Sequence, residues 1–290
     1  MQPALTQAIL DQHSAMALPT RDAVFDASLS AALQLGFIPT DAHCIAQAWQ
    51  AQAARTGNTS DWPTAPEDFG LAPWPREQTF APCPRQLGLY AVLPDAAWVG
   101  RMARADVPTV QLRFKSEDAD AIQREVQAAV DAVRGTRALL FINDHWQQAI
   151  QAGAYGVHLG QEDLDLLSED DLHAIRSAGL RLGISTHGYA EMLRADRVSP
   201  SYIALGAVFP TTLKKMATAP QGTARLAAYA KLLRDYPLVA IGGIDNERLP
   251  AVLASGVGSV AVVRAITAAP DPESAAAALR QAIHGPLGLE

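Results

Sequence analysis

The chain of 290 residues is 49% hydrophobic, with 23 lysines and arginines against 30 acidic residues and a net charge of −7. The acidic balance argues against a broad nucleic-acid surface, and no apolar run reaches the roughly 20 residues of a membrane span. With only two cysteines, Cys44 and Cys83, and no signal-peptide pattern, we expect a cytoplasmic protein that has small-molecule partners and lacks disulfides or a cysteine metal site.

Residues 1–85 are predicted to be a helical extension that ends in a proline-rich linker. Helical patterns cover residues 5–17, 23–35 and 41–54, with Pro39-Thr40-Asp41 as a stop and N-cap before the third. The stretch DWPTAPEDFGLAPWPREQTFAPCPR then indicates a linker or surface wrap, because proline lacks the N–H that strand ladders and helix interiors need. We therefore expect a second domain over residues 86–290.

Eight short apolar strands alternate with amphipathic helices in this second domain. The predicted strands are Leu89–Leu93, Thr109–Phe114, Ala138–Ile142, Gly156–Leu159, Arg181–Ile184, Tyr202–Leu205, Leu238–Ile241 and Ser259–Val263. Predicted helices between them include Asp118–Val133, Asp170–Ser177 and Arg225–Arg234. Several strands are apolar on both faces, which is typical of a parallel sheet covered by helices. Eight units predict an α/β fold, a closed (β/α)8 TIM barrel, with an open doubly wound sheet as the alternative.

The second strand, in the stretch TVQLRFKS, has a polar row at every other residue. Gln111, Arg113 and Lys115 share one face of a period-two pattern. At the mouth of a barrel such a row suits a di- or polyphosphate, with the glutamine pairing to a heterocycle edge. On an exposed edge strand the same row would only be solvated, and this segment alone leaves both interpretations open.

Polar side chains also follow the third and fourth strands. Asn143 and Asp144 end the stretch FIND, and Asp163 lies in VHLGQED. Because neighbouring strands lie about 4.8 Å apart, their loops can bring two carboxylates to one Mg²⁺, which also accepts substrate phosphate oxygens. Helix N-capping is the alternative role for Asn143 and Asp144. Beside the basic row, the pattern favours a metal-diphosphate site.

The histidines and the serine at the fifth strand form no recognised catalytic motif. His145, His158 and His187 lack a zinc spacing such as H-x-x-x-H, so we expect structural histidines. Ser185 has no G-x-S-x-G sequence around it, which favours a hydrogen-bonding role over a nucleophile.

A second anion site is predicted after strands six to eight. The loop GAVFPTTLKKMATAPQG supplies threonines and lysines on a segment long enough to close over a ligand. Gly242 and Gly243 end the seventh strand, where backbone N–H groups can approach an anion. Barrels commonly bind phosphate after strands seven and eight, so we expect a monophosphate here.

With these motifs, residues 86–284 resemble the thiamine phosphate synthase family, barrel enzymes that join a pyrimidine diphosphate to a thiazole phosphate. The matching stretches are QLRFK, IND, GVHLGQEDL, GIS, VFPTTLKKMATAPQG, AIGGI and VAVVRAI, in the family's order. The ligands that the resemblance implies are Gln111, Arg113, Lys115, Asn143, Ser185 and Lys214 for the pyrimidine diphosphate, Asp144 and Asp163 for Mg²⁺, and Thr211, Thr212, Gly243 and Val263 for the thiazole phosphate.

Two residues depart from the family's usual phosphate loops. Leu213 occupies the position of a second threonine, so a hydroxyl is missing unless Thr212 substitutes for it. Arg264 stands where a serine is usual, and its guanidinium either adds a charge-assisted bond to the phosphate or points away from it.

The resemblance implies a dissociative reaction in which Mg²⁺, Arg113, Lys115 and Lys214 stabilise the departing diphosphate. The thiazole nitrogen then captures a carbocation, so no general base is needed. A thiazole tautomerase on the same barrel and a non-catalytic binder of thiamine precursors are the alternatives, and the basic row and both aspartates argue against the tautomerase.

The role of residues 1–85 stays open in the sequence. The stretch SLSAALQLGFIPTDAHCIAQAWQ is faintly similar to the last helices of the pathway's pyrimidine phosphate kinase, but no phosphate loop accompanies it. The simpler interpretation is a helical extension that packs on the barrel or mediates homo-oligomer formation.

Overall fold

The computed structural model describes residues 2–13, 22–74, 76–211 and 218–284. The chain divides into two compact units, residues 1–63 and residues 64–290. Within the described part of the chain, no helix is both long and apolar enough to cross a bilayer.

The first unit contains the helices α1 (Gln2–Gln12), α2 (Ala23–Gln34) and α3 (Pro39–Thr56). Phe25 on α2 and Ile45 on α3 are buried, and the Phe25 ring meets the His43 ring edge-on at 5.3 Å. The predicted start of the third helix at Asp41 is corrected, because α3 begins at Pro39, whose fixed φ suits the first helical turn. The last part of the helix predicted over residues 5–17 falls in residues 14–21, which lie outside the described part of the chain.

The second unit is a closed barrel of parallel strands. Its strands are β1 (Gly88–Leu93), β2 (Thr109–Leu112), β3 (Leu139–Asn143), β4 (Gly156–Leu159), β5 (Arg181–Thr186), β6 (Tyr202–Leu205), β7 (Leu238–Ile241) and β8 (Ser259–Val262). Each strand pairs in parallel with the next, and β8 pairs with β1 with Ser259 opposite Gly88. This last pairing excludes an open doubly wound sheet, and the TIM-barrel prediction is confirmed.

Helices follow the strands of this barrel along the chain. They are α4 (Ala96–Arg104), α5 (Ala119–Val133), α6 (Trp146–Ala152), α7 (Gln161–Leu166), α8 (Glu169–Ser177), α9 (Tyr189–Arg197), α10 (Gly222–Leu232), α11 (Leu249–Leu253), α12 (Arg264–Thr267) and α13 (Pro272–His284). Strand β2 ends at Leu112 rather than at Phe114, since the Arg113 N–H makes a last bond to the Leu93 carbonyl and the chain then leaves the sheet.

The proline-rich segment after Pro63 packs on the barrel. Arg76 forms a buried ion pair with Asp196 on α9 at 2.5 Å, and its guanidinium also donates to the Tyr236 hydroxyl at 2.8 Å. Phe69 stacks on Tyr189 with ring centroids 5.0 Å apart. Because of these contacts the compact unit starts at Thr64, before the boundary predicted near residue 86 from the prolines alone.

Aromatic side chains fill the barrel interior. Tyr90, Phe141 and Tyr202 are all buried, and the Phe141 and Tyr202 rings meet edge-on at 5.1 Å. Gly183 on β5 makes room for them, because a Cβ at that position would overlap the Tyr202 ring. The interior is therefore a packed core, and open space begins only towards the C-terminal ends of the strands.

Candidate active site

A cavity of about 710 Å³ opens at the C-terminal ends of the barrel strands. The predicted substrate ligands that line it are Gln111, Arg113, Lys115, Asn143, Ser185, Thr211, Gly243, Val263 and Arg264. Thr212, Leu213 and Lys214 lie outside the described residues. Residues of both predicted anion sites thus line one cavity, whereas Asp144 and Asp163 are not part of its lining.

The predicted polar row of Gln111, Arg113 and Lys115 does not lie on a single strand face. Gln111 is on β2 and only 4% exposed, inside the barrel, whereas Arg113 and Lys115 are exposed residues of the loop that follows. An exposed edge strand is excluded, because β2 pairs with β1 on one side and β3 on the other. The row therefore presents an amide from the floor and two cations from the rim of the same cavity.

The two aspartates interact with each other and with Lys115, although neither of them lines the cavity itself. Lys115 Nζ contacts Asp144 Oδ2 at 2.6 Å, and Asp163 Oδ2 accepts from the Gly160 N–H at 2.9 Å. Burial raises the pKa of Asp163, the negative charge of Asp144 raises it further, and the Gly160 N–H and Lys115 oppose these effects. The sequence-based pairing of these carboxylates across neighbouring strand ends is thus present in the structure.

Asp144 is fixed in place by a backbone hydrogen bond and does not cap a helix. Its φ is +65°, in the left-handed region that non-glycine residues seldom adopt, and its N–H donates to the His158 carbonyl at 3.0 Å. Helix α6 has His145, not Asp144, at its N-cap. A conformation that is uncommon for an aspartate is what a functional side chain at a fixed position would require.

The opposite side of the cavity is formed after β7 and β8. Gly242 and Gly243 have φ of +105° and +66°, and a Cβ on Gly243 would lie 2.6 Å from the Pro210 carbonyl oxygen. Val263 is the N-cap of α12, and Arg264 follows as the first residue of that helix. Glycine is therefore required at both positions, 242 and 243, of this wall.

Arg248 was not predicted from the sequence, although it lines the same wall. It donates from Nη1 to the Gly243 carbonyl at 2.6 Å, and its guanidinium lies 5.0 Å from the centre of the Phe209 ring. The feature that could have pointed to Arg248 is its place at the N-cap of α11, where arginine is unusual.

A chain of polar side chains that runs from the cavity lining into the barrel core was also missed. Tyr90 and Tyr202 share a hydroxyl contact of 2.8 Å, and Tyr202 lies 2.6 Å from Nδ1 of His158. His158 reaches Ser185 Oγ through Nε2 at 2.8 Å. Because both ring nitrogens have partners, His158 has the contacts expected of a structural histidine.

The other two histidines make local contacts. His187 Nδ1 lies 2.7 Å from Glu191, and His145 Nε2 lies 3.2 Å from the Phe114 carbonyl. Among the residues that the structure describes, no group of three or more His, Cys, Asp or Glu side chains is arranged to hold a metal. Any cation at Asp144 and Asp163 would need further oxygens from a ligand.

Comparison with known proteins identifies the family. Residues 89–266 match the family described as thiamine monophosphate synthase. The thiamine-phosphate synthase of Neisseria meningitidis serogroup B is 57% identical over 196 residues, which cover 68% of this chain and 94% of that protein. The chain belongs to the thiamine monophosphate synthase family.

Other matches to the thiamine monophosphate synthase family agree with this assignment. The thiamine-phosphate synthase of Cronobacter sakazakii is 56% identical over 192 residues, covering 66% of this chain and 90% of that protein. The solved structure of a thiamine phosphate pyrophosphorylase from Pyrococcus furiosus is 27% identical with a TM-score of 0.60, covering 70% of this chain and 99% of that one. The family, enzyme and fold predictions from the sequence motifs are confirmed.

Proposed function

We propose that this enzyme joins the diphosphate ester of an aminopyrimidine methanol to a thiazole phosphate, releasing thiamine phosphate and diphosphate. The observation that carries the proposal is the placement of two anion-binding regions on opposite sides of one cavity. Arg113 and Lys115 supply positive charge after β2, while Gly243 and Arg248 form the wall after β7. A substrate with a diphosphate and a substrate with a single phosphate can therefore be held facing each other.

The cations near β2 would act on the leaving group. As the bond between the pyrimidine methylene carbon and the diphosphate oxygen breaks, both electrons leave with the diphosphate. Arg113 and Lys115 offset the charge that develops there, and Asn143 and Ser185 donate hydrogen bonds to the same group. Lys214, outside the described residues, is assigned to this group through the family resemblance alone.

The thiazole phosphate would be positioned by the opposite wall. Backbone N–H groups at Gly243 and Val263, the Thr211 hydroxyl and the guanidinium of Arg248 hold the phosphate, so that the thiazole ring faces the methylene carbon. The ring nitrogen uses its own lone pair to form the new C–N bond. No proton has to be removed from this nitrogen, so the step needs no general base.

Asp144 and Asp163 fit a magnesium ion together with substrate oxygens. The two carboxylates are adjacent, and the raised pKa of Asp163 indicates that their negative charge is not fully balanced by the surrounding groups. Mg²⁺ usually binds one or two carboxylates together with phosphate oxygens. Bound there, the ion would neutralise charge on the diphosphate. Lys115, which contacts Asp144, would then turn towards the diphosphate.

We also propose a cytoplasmic location and only small-molecule substrates. Both cysteines, Cys44 and Cys83, are free thiols, which suits a reducing compartment. The substrates are phosphorylated metabolites, and the cavity is of a size for two small ligands.

The test is diphosphate release from the purified enzyme with both substrates and Mg²⁺. We expect release only when both substrates are present, in step with thiamine phosphate formation, and loss of release with EDTA. Release with the pyrimidine substrate alone would indicate a hydrolase. Isomerisation of the thiazole phosphate without release would indicate a tautomerase, and binding of either substrate without any conversion would indicate a binder.

Replacing Arg248 with methionine should raise KM for the thiazole phosphate about tenfold, since the variant loses a cation and a bond that orients Gly243. KM for the pyrimidine diphosphate should stay within about twofold, because that substrate lies at the other wall. Initial rates with each substrate varied in turn measure both values. Arg137→Met is the matched control, since that side chain is 94% exposed. An equal rise in both KM values would contradict the assignment.

A further inference from the structure

Two buried tyrosines, Tyr90 and Tyr202, lie below the cavity floor, and their hydroxyls have no role in the proposed reaction. Tyr90 is 1% exposed and Tyr202 is 0% exposed, and neither contributes to the cavity lining. Their hydroxyl oxygens lie 2.8 Å apart, so β1 and β6 are joined across the barrel interior. Neither tyrosine can touch a substrate directly.

Each tyrosine is bonded to a residue that connects to the cavity lining. On one side, the Tyr90 hydroxyl donates to Gln111 Oε1 at 2.8 Å, and Gln111 Nε2 donates to Asn143 Oδ1 at 2.8 Å. On the other side, Tyr202 contacts His158, which in turn contacts Ser185. The tyrosine pair is therefore the connection between Gln111 and Ser185, which lie on different strands of the barrel.

The direction of one hydrogen bond in this chain determines the direction of all the others. Burial raises the pKa of both tyrosine hydroxyls, so each keeps its single proton. Because Tyr90 donates to Gln111, Tyr202 must donate to Tyr90 and accept from Nδ1–H of a neutral His158. Nε2 of His158 is then an acceptor, and the Ser185 proton points at it rather than at the cavity.

A diphosphate offers only acceptors, so it needs the opposite direction. For Ser185 to donate to the diphosphate, it must accept from Nε2–H of His158, whose Nδ1 then accepts from Tyr202. Tyr202 accepts from Tyr90, and Tyr90 accepts from Gln111 Nε2 after the Gln111 amide has made a half turn. This turn brings Gln111 Oε1 to Asn143, so the Asn143 amide must turn as well and donate from Nδ2. A reversal of only part of the chain would leave a buried polar group without a partner.

We propose that Tyr90 and Tyr202 are positioning residues that couple diphosphate binding at Ser185 to heterocycle binding at Gln111. The diphosphate selects one direction of the chain, and this direction sets which edge of the Gln111 amide meets the pyrimidine. The inference rests on the proposed function, since it takes the pyrimidine diphosphate as the ligand that spans both ends. It goes beyond that function in giving a role to residues that contact no substrate.

The test is a double-mutant cycle on the dissociation constant of the pyrimidine diphosphate, measured calorimetrically. Gln111→Ala, Ser185→Ala and the double variant are compared in the wild-type chain and again with Tyr202→Phe, which keeps the ring and removes the hydroxyl. In the wild-type chain we expect the double variant to bind about tenfold more tightly than the product of the two single effects predicts. With Tyr202→Phe the effects should multiply to within about twofold.

Two further variants keep this test decisive. Tyr90→Phe cuts the same link from the other side and should also abolish the coupling, even if Tyr202→Phe fails to fold. Tyr229→Phe is the matched control, because it removes a buried hydroxyl bond to Gln221 on the outside of the barrel, and it should leave the coupling unchanged. Equal coupling with and without the Tyr90 or Tyr202 hydroxyl, or none in the wild-type chain, would overturn the inference. Wild-type protein that does not bind the pyrimidine diphosphate at all would refute the proposed function and the inference with it.

Discussion

Replacing Asp144 with asparagine should lower turnover by about a thousandfold, equivalent to about 4 kcal/mol of transition-state stabilisation. The change removes one of the two carboxylates that would hold the metal, and Lys115 loses its partner at 2.6 Å. Asparagine also tolerates the left-handed backbone that Asp144 adopts at φ +65°, whereas alanine would add strain to the loss of charge. The measurement is kcat at saturating substrates over a range of Mg²⁺ concentrations.

Asp165→Asn is the matched control for this result. Asp165 is an exposed aspartate on the neighbouring helix α7, where it pairs with Arg194. Its replacement should change kcat by less than about twofold, since exposed ion pairs contribute little. A near-normal rate for Asp144→Asn at all Mg²⁺ concentrations would refute the metal assignment without affecting the family assignment.

Replacing Gly243 with alanine should raise KM for the thiazole phosphate about a hundredfold. The new Cβ would lie 2.6 Å from the Pro210 carbonyl and 2.9 Å from the Phe209 Cβ, so the backbone at this wall has to move. A displacement of that size withdraws N–H groups from the phosphate. We also expect the free energy of unfolding to fall by about 1–3 kcal/mol, as is usual for strain at a special φ.

Gly256→Ala separates the loss of binding from backbone strain alone. Gly256 also has a left-handed φ, of +90°, but beyond its two chain neighbours no heavy atom of the described residues lies within 4 Å of the position that a Cβ would take there. It is not part of the cavity wall. This variant should be destabilised without a change in KM. If Gly243→Ala merely matched Gly256→Ala in both stability and KM, the phosphate would have to bind elsewhere.

The position of several cavity residues could be predicted because it depends on local sequence. Gln111, Asn143, Ser185 and Gly243 each lie within two residues of the end of an apolar strand, and a parallel barrel brings all such ends to one face. The chemistry of their side chains then indicated anions and a metal. The sequence therefore predicts which polar residues lie near the ends of the strands.

Other contacts were missed because they join residues that are far apart in the sequence. In the sequence, Tyr90 and Tyr202 are ordinary inward residues of apolar strands. Their hydroxyls nevertheless meet, and the two residues are 112 positions apart. Arg76 read as part of a proline-rich linker, but it pairs with Asp196, 120 positions further on. A hydrogen bond requires an agreement of a few tenths of an ångström between such positions, and no local pattern encodes it.

The sequence by itself determined the order of strands and helices, the barrel and the family, because hydrophobic periodicity and short motifs depend on neighbouring residues. Only the tertiary structure decided which of the polar side chains meet. Closure of β8 on β1 brings the walls of the cavity together, and the space left by Gly183 lets Tyr202 reach across the interior. Packing of the whole barrel sets these distances, so they become visible only once every strand is in place.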